Sequence, residues 1–317
     1  MRAGGYALTL LGGPRIFLIL RSLCEGRKSQ LELRRDAGLP AQSTLRGHLQ
    51  TLREIGAIER ERLDSFPGTL EFQLTGAGRH LYEVADSAAQ WLAKAPGGPL
   101  ELGTDPARAA IKGLVEGWTA TVLSTLASGP QSLTELDKRI SAVSYPSIER
   151  CLQTMRLADQ LEIGERDSKG TPYALTEWLR RGLTPLAIAA RWEHRHRPEG
   201  ARPIERDDIG DAVLVGGPLF KLSGTTDGIC QLAIRIPDSK RQDRSLAFVE
   251  VKNGEVCFRG VSPQVKPDAW ASGTAETLFA TVIDADTTGL RTKGDVELVG
   301  AIFDSVRAAL FSDAVRK

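Results

Sequence analysis

Two short stretches carry the same candidate chemistry: HLQTLREIGAIER at residues 48–60 and CLQTMRLADQLEI at 151–163 both contain LQT-x-R. Residues 49–53 and 152–156 agree at four of five sites, 103 positions apart, and the fifth exchanges Leu52 for Met155, a swap a packed core accepts at little cost. At about 100° per residue, Leu45, Leu49 and Leu52 share one helical stripe, as do Ile148, Leu152 and Met155. Facing away lie Ser43, Gly47 and Gln50 in one stretch and Pro146, Arg150 and Gln153 in the other, with Thr44 and Ser147 beside them as further candidate DNA contacts. Arg46 and Arg53, or Glu149 and Arg156, stand on the flank. Amides and guanidiniums on an apolar-backed helix suit nucleic-acid edges: Gln pairs with adenine N6 and N7, Arg with guanine O6 and N7 or with phosphate. A merely solvated polar face would look the same in one helix; two copies in one context favour recognition.

Other chemistries find no support. GxSxG, HExxH, a Walker loop and a glycine fingerprint are all missing, so no enzyme and no cofactor are expected. Cys24, Cys151, Cys230 and Cys257 form no CxxC pair and read as structural thiols on apolar stripes or strand faces. His194 and His196 point apart on a helix, which argues for a solvated basic end and against a metal. The chain has 317 residues and a formal net charge of +1, so nucleic-acid binding must come from local patches. YALTLLGG followed by IFLIL is apolar, yet Arg15 interrupts it; a folded, cytoplasmic segment with no membrane partner is expected.

The repeat extends beyond LQT-x-R. At the same offset Ala7 meets Ala110, Leu11 meets Leu114, Leu20 meets Leu123, Gly26 meets Gly129 and Leu33 meets Leu136. Later the offset becomes 101, where Leu74-Thr75 meets Leu175-Thr176 and Trp91 meets Trp192. This predicts a duplicated domain over 5–95 and 106–197, joined by the Pro- and Gly-rich stretch 96–106. Each copy reads as four helices, a hairpin and a long closing helix. Ser132 with Glu135 predicts a capping box, Pro146 a first-turn position, and SFPG at 65–68 a hairpin tip. Two helices joined by a turn and followed by a short hairpin are the parts of a winged helix-turn-helix.

Both copies resemble winged-helix regulators of the HxlR type, related to the MarR group. The residues carrying this are GWTATVLSTL at 117–126, the following G-x-x-x-LTEL, and GTPYALTEWLRRGLTPLAIAARW at 170–192. Copy one departs, with Arg15 where copy two has Trp118 and with an expanded hairpin. The resemblance implies double-stranded DNA as partner and, since such regulators pair as homodimers, a single-chain pseudo-dimer here, alone or as a homodimer. Arg60 and Arg62 flank the first wing, Arg166 and Lys169 the second, where phosphate contact is expected. Glu149 departs from this pattern, because a carboxylate repels phosphate although it can accept from cytosine N4.

The last third, 204–317, reads as an α+β domain: an antiparallel sheet with helices on one face. DGICQLAIRI alternates with Cys230, Leu232, Ile234 and Ile236 on one face, Asn253-Gly254 predicts a hairpin, and Asp295 caps a closing helix. Over roughly 205–312 it is similar to sterol-carrier-protein-type domains, on KNGEV, PDAWASGTAETLFATVID and LRTKGDVELVG. The likeness implies an apolar tunnel lined by Leu232, Phe248, Trp270, Phe279 and Phe303, holding an apolar effector; plain core packing of these residues is the alternative. The whole then reads as a ligand-responsive regulator, or else as a small-molecule carrier whose winged helices serve dimerisation or protein contacts.

Overall fold

In the computed structural model, Ser29 and Ser132 each start a helix by the same reciprocal bonding. Glu32 N donates to Ser29 Oγ at 3.3 Å while Ser29 N donates to Glu32 Oε2 at 2.7 Å. Glu135 N donates to Ser132 Oγ at 3.3 Å and Ser132 N to Glu135 Oε2 at 2.9 Å. Each box satisfies two amides that a helix start leaves without partners. Bonds from the Ser29 hydroxyl and then its amide hold the Glu32 carboxyl below the usual carboxylate range. The structure describes residues 2–62, 70–127, 129–141, 143–166, 168, 170–222, 227–235, 244–259 and 266–311.

The first of two units is Met1–Glu116 with Ile188–Arg202. It contains α1 (Gly5–Leu11), α2 (Ile16–Cys24), β1 (Lys28–Ser29), α3 (Gln30–Asp36), α4 (Gln42–Glu54), β2 (Ile58–Arg62), β3 (Leu70–Leu74), α5 (Gly76–Leu92) and α6 (Asp105–Val115). The strands are antiparallel in the order β1-β3-β2, with Ile58 opposite Leu74 and Lys28 opposite Phe72. Thr75 fastens α5 to this sheet: its Oγ1 accepts from Gly78 N and donates to Ala57 O, both at 3.1 Å. Gly78 is demanded there, because a Cβ would stand 1.9 Å from Ala57 O.

Helix α1 packs against α5 and α6, burying Ala7, Leu8 and Leu11 on α1 and Ala107, Ala110, Ile111 and Leu114 on α6. Its N-cap, Gly4 at φ 83°, has no side chain to offer. Glu193 does the capping instead: its buried carboxylate accepts from Gly4 N and Ala7 N, each at 2.8 Å, where the helix dipole favours an anion. Beside it Trp192 donates its ring N–H to Ala77 O at 2.8 Å. Among the described residues no single helix is long and apolar enough to cross a membrane; α1 and α2 together are apolar, but they meet at 89°.

The second unit is Gly117–Ala187 with Pro203–Lys317. Its first part holds α7 (Gly117–Ala127), β4 (Gln131–Ser132), α8 (Leu133–Arg139), α9 (Tyr145–Leu157), β5 (Leu161–Ile163), β6 (Pro172–Leu175), α10 (Glu177–Arg181) and the start of α11 (Leu183–His196). The strand order β4-β6-β5 is that of the first sheet. Thr176 repeats the work of Thr75, accepting from Leu179 N at 3.2 Å and donating to Gln160 O at 3.3 Å. The long closing helix expected here is instead two helices broken at Gly182. Pro185 has no N–H for the Arg181 carbonyl, so the ladder cannot run through.

The remainder holds α12 (Arg206–Gly216), β7 (Gly228–Ile234), β8 (Arg244–Lys252), β9 (Glu255–Arg259), β10 (Ala269–Gly273), α13 (Ala275–Asp284), β11 (Arg291–Gly294) and α14 (Val296–Phe311). Asn253 and Gly254, at φ 52° and 76°, make the β8–β9 turn, and Asp295 Oδ1 accepts from Leu298 N at 2.9 Å as a cap. The sheet order is β11-β10-β7-β8-β9, and it is mixed, not antiparallel: β10 lies parallel to β7, with Ala271 beside Leu232. Alternation along each strand reports a face but no direction, so the pairing was beyond its reach. Cys230, Leu232, Ile234, Val249, Ala269 and Ala271 form one buried face, covered by Leu278 of α13, by Leu298, Val299, Ile302 and Phe303 of α14, and partly by Ile209 of α12. Helix α12 also packs on α7, and Arg180 Nη1 donates to Val215 O at 2.6 Å.

Two expectations follow. Ser132→Ala removes a cap and costs about 1 kcal/mol, lowering the melting midpoint by roughly 2–4 °C, and Ser132→Asp restores it. In the first unit, His196 Nε2 lies 3.1 Å from His80 Nδ1, a contact that needs at least one neutral ring. Burial, then His80 and Arg195, hold His196 below the ordinary value of 6.5. The folded state therefore binds fewer protons than the unfolded one below that value, so stability is full above pH 6.5 and falls as the pH drops beneath it. Thermal melts between about pH 7.5 and about pH 5 are expected to show this loss, and His196→Phe to reduce it.

Candidate nucleic-acid interface

Helix α3 ends in a tight turn that aims α4. Leu39 N donates to Arg34 O at 2.8 Å, Gly38 and Leu39 adopt φ 78° and 54°, and Arg34 Nε donates to Pro40 O at 2.9 Å. Nothing in the spacing of Arg34 along the chain marks a side chain that locks a turn. Helix α4 then runs thirteen residues from Gln42, and α9 runs thirteen from Tyr145. Leu45, Leu49 and Leu52 are buried, as are Ile148, Leu152 and Met155. Burial of these stripes leaves no freedom about which residues face water.

On α4, Ser43, Thr44, Arg46, Gln50 and Arg53 are all exposed. Gln50 Nε2 donates to Glu54 Oε1 at 2.7 Å, and Arg53 Nη1 lies 3.5 Å from Gln50 Oε1, so this amide is held in place. Arg46 has no hydrogen-bond or ion-pair partner among the described residues. On α9, Ser147, Arg150, Gln153 and Arg156 are exposed, and Ser147 Oγ lies 2.9 Å from Ser144 Oγ. Glu149 is exposed beside them. Each helix also bends one threonine hydroxyl back to its own backbone: Thr51 to Gly47 O at 3.1 Å and Thr154 to Arg150 O at 2.9 Å.

In the first hairpin Arg60 is exposed opposite Phe72, while Glu59 and Glu61 take the other face of β2. Arg62 ends β2, and its side chain lies outside the described set. Arg27, which sequence reasoning also missed, bridges Glu61 at 3.0 Å and donates to Gln73 at 2.8 Å. In the second hairpin Arg166 is exposed, and Lys169 lies outside the described residues.

The five residues expected to line a tunnel do not gather. Leu232 and Phe303 belong to the buried face under α13 and α14, and Phe279 is buried on α13. Phe248 and Trp270 both pair with Gln231, the neighbour of Leu232, and so lie on the opposite face of the sheet. Phe248 is buried there, and Lys293 Nζ sits 5.6 Å from the centroid of the half-buried Trp270 ring. A cleft of about 520 Å³ does open in this unit, but Ile204, Ile234, Arg235, Ala275 and Glu276 are among its walls and none of the five is. The thiols also differ from expectation: Cys24 and Cys257 are exposed, whereas burial pushes the Cys230 thiol up to about 12.

Residues 10–96 match the HxlR-like helix-turn-helix family. The match falls within the N-terminal unit, although the Trp-led motif that suggested the family lies at 117–126. Uncharacterized HTH-type transcriptional regulators of Mycobacterium bovis and Mycobacterium tuberculosis are 35% identical over 102 residues, which is 31% of this chain and 64% of theirs. The chain thus spans 64% of the length of those relatives. A structure named as a MarR-family transcriptional regulator from Enterococcus faecalis is 28% identical, covering 27% of this chain and 78% of that one at a TM-score of 0.26, too low to bear on the fold. The uncharacterized regulator YdzF of Bacillus subtilis is 34% identical over 95 residues, 30% of this chain and 86% of YdzF, and with it the chain belongs to the HxlR-like helix-turn-helix family.

Proposed function

We propose that the chain is a cytoplasmic, DNA-binding transcriptional regulator built as a single-chain pseudo-dimer. In this reading 5–95 and 106–197 are two winged helix-turn-helix copies, and 204–317 is a third domain. The observation that carries the proposal is α4: an apolar stripe buried in its own core, and an outward face of Ser43, Thr44, Arg46, Gln50 and Arg53 in a domain matching the HxlR-like family.

The recurrence of construction supports the second copy. Strand order, capping boxes, the two threonine fasteners and the lengths of α4 and α9 all repeat at the offsets seen in the sequence. The pseudo-dimer is supported by α1 and α6, which the repeat equates and which pack together in the first unit. Trp91 and Trp192, also equated, are both buried in that unit. Control by an apolar small molecule has no single cavity behind it, since its expected lining divides between two faces of a sheet; the proposed regulator requires no effector.

Fluorescence anisotropy of the full chain with duplex DNA tests the proposal. Log affinity is expected to fall with log salt by about 0.9 per neutralised phosphate. Arg46→Ala and Gln50→Ala are each expected to cost about 1–3 kcal/mol on a preferred sequence and to relax preference at one base pair. Salt-insensitive behaviour, with no duplex bound at any sequence, would sink the proposal and favour the carrier.

A further inference from the structure

Helices α4 and α9 can be compared position by position. Both have thirteen residues, both begin at the same point of the 103-residue offset, and their buried positions coincide at 45/148, 49/152 and 52/155. Equivalent residues are therefore presented alike by their own cores. Gln50 and Gln153 agree, as do Arg53 and Arg156, and Thr44 and Ser147 each keep a hydroxyl. Thr51 and Thr154 agree too, but other outward positions do not, and one disagreement has a sign: Arg46 meets Glu149. Both are exposed, and neither has an ion-pair partner among the described residues that would neutralise it.

The next position differs in size. Gly47 meets Arg150. A Cβ at Gly47 would have nothing within 4 Å, so packing does not demand glycine there. Its smallness lets the α4 backbone come close to whatever that face meets, whereas Arg150 holds the α9 backbone off and reaches outward. A third difference concerns the shared glutamine. Gln50 is fixed by Glu54, but the position of Glu54 is Leu157 in α9, and Gln153 has no partner among the described residues.

A duplex with dyad symmetry offers two heads the same edges, which suits identical heads. Arg46 is satisfied by guanine O6 and N7 or by phosphate; Glu149 is repelled by phosphate and is satisfied by the amino group of cytosine. On a palindrome one of the two would face a wrong edge, at a cost of about 1–3 kcal/mol per mismatched pair. We propose that this chain reads a non-palindromic duplex of two unlike half-sites, with guanine under Arg46 in one and a cytosine amino group under Glu149 in the other. The inference rests on the DNA-binding reading above and would fail separately from it.

The test is selection of the full chain on random duplexes, with anisotropy on the enriched sequences. Two unlike elements are expected, and changing either should weaken binding by about 10-fold. The double variant Glu149→Arg with Arg150→Gly gives α9 the outward charges of α4 and is expected to shift preference toward a dyad-symmetric site by about 10-fold or more. Both positions are exposed, and circular dichroism would verify that the variant folds. A dyad-symmetric consensus for the unaltered chain, or a single half-site with no contribution from α9, would overturn the inference and leave DNA binding standing. No enrichment together with no salt-sensitive binding would overturn both.

Discussion

Burial of one stripe on α4 is the constraint from which the functional face follows. Once Leu45, Leu49 and Leu52 are inside, the helix can rotate by only a small fraction of a turn without exposing a leucine, at about 1.5–3 kcal/mol for each side chain moved fully to water. Arg46, Gln50 and Arg53 are thereby pointed outward by residues that themselves touch no ligand. The turn before α4 adds the second coordinate. Positive φ angles at Gly38 and Leu39 and the Arg34 bond to Pro40 O set the direction in which the helix leaves α3. Leu39 stays exposed in a left-handed conformation that leucine rarely adopts. Direction and rotation together define which face of α4 is presented outward.

Residues far along the chain hold the first unit's own helices. Glu193 caps α1 in place of Gly4, and Trp192 ties the same segment to Ala77. A buried carboxylate is costly unless its oxygens are satisfied; here two amides at a helix start do this, and the helix start is satisfied in return. The His80–His196 contact lies next along that segment and makes the same packing sensitive to protons. Ala7 and Ala110 are both fully buried in this unit, where a larger side chain would have to displace its neighbours.

Local signals were legible in the sequence. Ser132 with Glu135, Asn253-Gly254 and Asp295 each act within four residues, so spacing alone revealed them. The stripes on α4 and α9 were legible for the same reason. What escaped was set by partners distant in the chain. The parallel pairing of β10 with β7 joins residues about forty positions apart and leaves no mark in either strand's alternation. Phe248 and Trp270 looked like companions of Leu232, but strand register sends them to the other face. The break at Gly182 was written in the sequence by Pro185, yet apolar periodicity continued across it and concealed it. His194 and His196 are close in sequence on one helix, whereas the ring that meets His196 is His80, 116 residues away.

Charge decides how such a face can work. At a net charge of +1 the chain has little long-range field with which to gather a polyanion. Two cations of the first unit are already engaged: Arg27 with Glu61 and Gln73, Lys28 with Glu25 and, at 4.0 Å, Asp36. Exposed pairs of this kind add little stability, but they cancel charge locally, so their net attraction for phosphate is small. Arg46 and Arg60 have no such neutralising partner among the described residues and retain their full charge. In the regulator proposed above, non-specific affinity scales with the phosphates neutralised. Discrimination, in that proposal, comes from base edges, where one guanidinium or carboxylate at the right position outweighs bulk charge, and where α9 carries Glu149 in the place of Arg46.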